Sequence, residues 1–202
     1  MPFCLQRTCI TCENPYKHDS CRRPVGSDSK MPRPSRPSML IFLDTEFTNL
    51  TKRKLISIGM VSEDGQHAFY RELRDFDLDN CSRFVRANVL PLLGRFQDAA
   101  VDRAKLTDDL RQWIDTLPRS LTIACDSDWD WEILCEIVGN PLPANISGRF
   151  DLRPLIDTTV FHKAVCRYHD DSHQPWHHAW HDAHAHRFGW LAWNDTRRRA
   201  KL

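Results

Sequence analysis

A chain of 202 residues with a formal net charge of +1 is long enough for one well-cored domain, and it exerts no global electrostatic pull on nucleic acid or membrane. No apolar run approaches the roughly 20 residues of a membrane span, and no apolar stretch follows the first basic residues as a secretory signal requires. A cytoplasmic location without a membrane partner is therefore expected, with the eight cysteines held as reduced thiols.

Residues 1–38 carry Cys4, Cys9, Cys12 and Cys21, then a Pro/Arg/Ser stretch, with neither period-2 nor period-3.6 apolar patterning. They read as a disordered extension, and Met39 is an alternative start of the working protein. Cys9 and Cys12 have half-knuckle spacing, with Cys4, Cys21 and His18 as completing zinc ligands in a rival reading. From Met39 the pattern becomes regular. Met39 to Leu43 is a short apolar run that suits a buried strand, and it breaks into Asp44 and Glu46. Residues i and i+2 of a strand share a face, so both carboxylates project together. Two adjacent anions repel, and a hard divalent cation between them is the economical remedy. The plainer alternative is a turn-capping Asp44 and a solvated Glu46.

After a polar turn from Thr48 to Lys54, Leu55 to Val61 reads as a second strand. The pair Asp64-Gly65 then signals a hairpin into a third strand over 66–72. A helix is expected from about Ser82 toward Val89-Leu90, where Pro91 interrupts it. Another is expected over 106–116, with Leu106, Leu110, Trp113 and Ile114 on one face and Thr107 as N-cap. Leu121 to Cys125 is a further buried strand ending in Asp126, Asp128 and Asp130. The helix beyond it is stopped by Gly139-Asn140-Pro141. Residues 150–161 hold one more apolar segment. Eight of the ten histidines then lie between His162 and His186, leading into a helix near Trp180. Residues 196–202 form a basic tail containing Arg197, Arg198 and Arg199, solvated or in contact with phosphates. Three strands in hairpin series followed by strand–helix alternation indicate an α/β protein with a mixed sheet flanked by helices.

Three places therefore put acidic groups at the end of an apolar element: Asp44/Glu46, the Asp126/Asp128/Asp130 cluster, and Asp182. Several hard carboxylates with a histidine nearby match what a two-metal phosphoryl-transfer site needs. On an ideal helix His177 and Asp182 would stand roughly 140° apart. Pro175 favours a helix start that leaves His177 on the incoming loop.

The ordered set Asp44-x-Glu46, Asp130-Trp131-Glu132-Ile133-Leu134 and His177-x4-Asp182 resembles the DEDDh 3′–5′ exonuclease superfamily. His177-His178-Ala179-Trp180-His181-Asp182-Ala183 is similar to that family's third motif. Leu55 to Gly65 and Phe84 to Leu93 resemble the mycobacterial-type 3′–5′ exoribonuclease-like group. The resemblance covers about residues 39 to 190. It implies a ribonuclease H-like fold with three antiparallel first strands, and an exonuclease domain over 39–195. It also implies two Mg²⁺ or Mn²⁺ ions on Asp44, Glu46, Asp130 and Asp182, with Asp44 as bridging ligand. Asp126 or Asp128 is the alternative to Asp130. His177 becomes the general base, and the reaction releases nucleoside 5′-monophosphates from RNA 3′ ends. Phe47 and Thr48 are candidate substrate contacts, Phe47 by stacking on the terminal nucleotide or, alternatively, as a core residue. Related exonucleases form dimers, so a homodimer is allowed, although no apolar stripe identifies an interface.

Three rivals accompany this reading. Nothing in the sequence reads the 2′-OH, so single-stranded DNA or short oligonucleotides are an alternative substrate. His177/His181 and His178/Asp182 have the i, i+4 spacing of zinc ligands on a helix, whereas the preferred reading leaves His181 and His184 on the helix surface. From another class, the chain would be a non-catalytic nucleic-acid binder with a zinc-stabilised N-terminus.

Overall fold

The computed structural model describes residues 38–117 and 120–200. The N-terminal cysteines and their candidate zinc site lie outside the described residues. Six strands form one mixed sheet: β1 (Met39–Phe47), β2 (Leu55–Ser62), β3 (Ala68–Leu73), β4 (Ala100–Val101), β5 (Leu121–Cys125) and β6 (Ile146–Asp151). Their order is β4-β3-β2-β1-β5-β6. The first three pair antiparallel, whereas β4 on β3, β5 on β1 and β6 on β5 are parallel. Among the described residues, six helices flank the sheet: α1 (Arg83–Asn88), α2 (Arg103–Thr116), α3 (Asp128–Val138), α4 (Arg153–Ile156), α5 (Thr159–Asp171) and α6 (Ala179–Arg199). Among the described residues, no helix is long and apolar enough to cross a membrane.

Strand alternation divides the core in two. Ile41 and Leu43 of β1 face Leu106, Leu110 and Ile114 of α2 and Ile133, Leu134 and Ile137 of α3. Phe42 points the other way, toward Leu155, Phe161 and Val165 and toward Ala183 and Ala185 of α6. Because it is covered on both faces, β2 is buried along its whole length. Period 2 then places Asp44 and Glu46 on the α6 side with Phe42.

The elements depart from the sequence expectations in instructive ways. β1 runs through Phe47, so both carboxylates lie within the strand, flanked by β2 in register to Leu55. α2 begins at Arg103 rather than beside Thr107, because the Asp102 side chain accepts from Lys105 N at 2.8 Å and caps the helix there. Ser127, not Asp126 or Asp128, caps α3 by accepting from Trp129 N and Asp130 N. The apolar segment over 150–161 is split between the end of β6, α4 and the start of α5, and β4 carries no sequence signal of its own. α6 continues through Arg199, so the expected boundary at 196 falls inside a helix. Arg199 pairs there with Asp195 at 2.8 Å, and Arg197 lies over the Trp193 ring.

Candidate metal centre

β1 is the floor of the site, and α6 reaches it through a close approach. Gly59 of β2 is the register partner of Asp44. A Cβ on Gly59 would lie 2.2 Å from the Ala179 carbonyl oxygen at the start of α6. Only a residue without a side chain lets the helix N-terminus settle there. The first turn of α6 carries Asp182, which is thereby set over the acidic face of β1. The N-terminus of α3 brings the second set of acids to the same end of the sheet.

His177 stands on the incoming loop at φ 62°, a left-handed conformation rare outside glycine and asparagine. This reversal turns its backbone N–H toward Asp182 Oδ2, to which it donates at 3.1 Å. Two residues five apart thus meet without sharing a helix face. The His177 ring meets Phe84 edge-on at 4.8 Å between centroids, and Phe84 itself is 53 % exposed.

Among the described residues two groups of metal-type donors result, each with ligand atoms within 4.8 Å of one another. One is Glu46, His177 and Asp182, and the other is Asp44, Asp126 and His186. Asp130 belongs to neither group. Only 3 % of it is exposed, and its Oδ1 accepts from Thr45 Oγ1 at 2.5 Å and Thr45 N at 3.2 Å. It nevertheless acts on Asp44 electrostatically. Burial pushes the Asp44 carboxyl well above the usual range, and the charges acting most strongly on it are Asp182, Asp130, Glu46 and Asp126, all carboxylates. Asp130 is pushed up to about 8 by burial and by Asp126, against the hydrogen bonds from Thr45 and Ser127. Five carboxyl groups packed this way repel one another when ionised, and a hard divalent cation relieves that repulsion. The donor set fits such an ion.

Asp128 takes no part in this set. Against the cost of burial, Arg149 at 2.5 Å and Arg153 at 2.8 Å hold it below the usual carboxylate range. Thr48 is fully buried. Its N–H donates to Lys54 O and its carbonyl accepts from Ser82 N, so its main chain closes the turn. Phe47 is half-buried against the α2/α3 core, edge-on to Trp129 at 5.9 Å.

Among the described residues the other histidines of the run fall in neither donor group, and they do not all sit on the surface. His181 is buried beside Tyr168 Oη, 3.2 Å away. Tyr70 spends its O–H on Glu72 at 2.8 Å, so His178 Nε2–H donates to Tyr70 Oη at 3.2 Å. Burial holds His178 and His184 down to about 4 and lowers His181, disfavouring the charged form of each. Zinc pairing through His178 or His181 has no counterpart in these contacts.

Three residues that sequence reasoning passed over also shape the site. His169 of α5 stacks on Trp176 at 3.9 Å, and its Nε2 stands 3.3 Å from Asp182 Oδ1. Phe84 confines His177, and His186 joins Asp44. Asp182 and His186 have i, i+4 spacing, the one signal that could have singled out His186. The sequence matches no family model and no curated protein.

Proposed function

We propose that the chain is a metal-dependent 3′–5′ exoribonuclease of ribonuclease H-like fold, releasing nucleoside 5′-monophosphates from RNA 3′ ends. The observation that carries this reading is the gathering of Asp44, Glu46, Asp130 and Asp182 at one end of the sheet, with His177 against Glu46 and Asp182. Three antiparallel strands followed by parallel β5 and β6 support the fold assignment.

Asp44, Glu46, Asp130 and Asp182 would hold two Mg²⁺ or Mn²⁺ ions, which when bound neutralise charge on the phosphodiester and acidify water. His177 takes the proton from the attacking water, a role suited to an imidazole near neutral pH. Its main chain is fixed by Asp182 and its ring by Phe84, so the base is oriented before substrate arrives. The water oxygen bonds to the terminal phosphorus, the P–O3′ bond of the penultimate nucleotide breaks, and that 3′-oxygen is protonated. Exposed Phe84 offers a ring on which a terminal base can stack. Phe47 belongs to the core wall.

The test uses 5′-labelled RNA with a 3′ tail and Mg²⁺ or Mn²⁺. Stepwise trimming from the 3′ end is expected, abolished by Asp44→Ala and reduced about 10²–10⁴-fold by His177→Ala. Undiminished trimming by Asp44→Ala would sink the mechanism. A matched DNA oligomer decides the sugar preference.

A further inference from the structure

Asp182 and His186 lie one turn apart on α6 and so on one face, yet they serve different donor groups. Asp182 joins Glu46 and His177, and His186 joins Asp44 and Asp126. The second group mixes two carboxylates with an imidazole. His186 is 8 % exposed, and its Nδ1 is buried without a hydrogen-bond partner. Its Nε2 stands 3.6 Å from Asp126 Oδ2, beyond hydrogen-bond length. The Phe161 ring lies near it, 6.4 Å between centroids, and offers no polar partner. A buried imidazole left in this way forfeits hydrogen bonding that folded proteins normally satisfy. A cation bound by Nε2 and the two carboxylates gives the ring a partner on the side that faces the acids, and leaves Nδ1 as it is.

The nitrogen donor decides which cation. Mg²⁺ demands hard oxygen ligands in near-ideal octahedral geometry, whereas imidazole suits divalent transition metals. We propose that Asp44, Asp126 and His186 form a cation position with a nitrogen ligand, selective for a divalent transition-metal ion over Mg²⁺. Asp44 then bridges a mixed nitrogen–oxygen position and the position at Glu46 and Asp182. Asp126 acts as a ligand in its own right beside Asp130. This assignment rests on the cation-binding part of the proposed function and is independent of the nuclease reaction.

The test uses the metal-stripped, tag-free full chain loaded with Mn²⁺. Electron spin echo modulation should show nitrogen coupling to the bound ion. Titration should show Mn²⁺ bound at least about tenfold more tightly than Mg²⁺. His186→Gln should abolish the coupling and weaken Mn²⁺ binding by at least about tenfold, with a smaller change for Mg²⁺, whereas His177→Asn should keep the coupling. Absence of nitrogen coupling in the wild type, or coupling that survives His186→Gln, overturns the assignment. If circular dichroism shows that His186→Gln is unfolded, Asp126→Asn decides: Mn²⁺ affinity lowered to the same degree supports the position, and unchanged affinity refutes it. Loss of RNA trimming in an otherwise normal Mn²⁺-binding wild type would count against the nuclease and not against this position.

Discussion

Replacing Gly59 by alanine tests whether the close approach of α6 to β2 holds the site together. The new methyl group would stand 2.2 Å from Ala179 O, 2.4 Å from Ala179 C and 2.6 Å from Trp180 N. Ordinary contact begins near 3.4 Å, so the helix start must retreat by about 1.2 Å, the difference between 3.4 and 2.2 Å. The obstacle is main chain, which cannot turn aside as a flexible side chain would. The penalty therefore belongs at the upper end of overpacking, about 3 kcal/mol. In a domain of this size that lowers Tm by roughly 6–12 °C. Asp182 rides on the displaced turn, and a misplacement of about 1 Å lowers the rate of a positioned reaction by roughly 100-fold. Thermal and urea denaturation read the first effect, and RNA trimming reads the second. Gly148→Ala is the control, since a Cβ there meets no atom within 4 Å. A Gly59→Ala protein within about 0.5 kcal/mol of that control would refute the packing argument.

Other tests address electrostatics and support. Asp44 and Asp130 both titrate above the ordinary carboxylate value, so between about pH 4 and about pH 8 the cation-free folded protein binds protons that the unfolded chain has released. Its stability should fall as pH rises through that window, on the order of a few kcal/mol. Divalent cations should raise Tm more at pH 8 than at pH 5; a flat Tm profile in chelator refutes the crowding of carboxylates. Thr45→Val removes the hydroxyl donated to buried Asp130 and should lower urea stability by about 1–3 kcal/mol, with Thr45→Ser retaining most of it. His169→Ala should weaken cation affinity by about 10–100-fold through Asp182 without altering the fold. His169→Gln should recover part of it, and equal affinities in calorimetry would dismiss His169 as a positioning residue.

What the sequence reveals depends on whether the signal is local. The apolar run of β1, the Asp64-Gly65 turn and the amphipathic face of α2 all lie within a few residues, and each is legible as an element. So is the placement of His177 ahead of α6, through Pro175. α5 was hidden because its buried positions Phe161, Val165 and His169 include a histidine, which reads as polar and breaks the apolar period. The burial of His178 and His181 depends on Tyr70 and Tyr168, contributed by β3 and α5. The Asp126–His186 contact joins residues 60 positions apart, and no spacing rule reaches across that interval. Thr48 shows the converse case. It adjoins the acidic pair in sequence, yet the backbone turns it into a buried hinge of the 48–54 turn.

The left-handed His177 and the final helix have a consequence for the order of biosynthesis. Asp44 and Glu46 leave the ribosome well before Asp182 and His186, so the two carboxylates of β1 stay hydrated until the later donors arrive. Asp182 adds its charge to Asp44, Glu46, Asp126 and Asp130 only when α6 docks across β1 and β2. Docking of α6 completes this set of charges, and it closes a long loop late. A divalent cation that binds only the assembled set lends its free energy to that step. Completion of the donor set and docking of α6 therefore occur in one event.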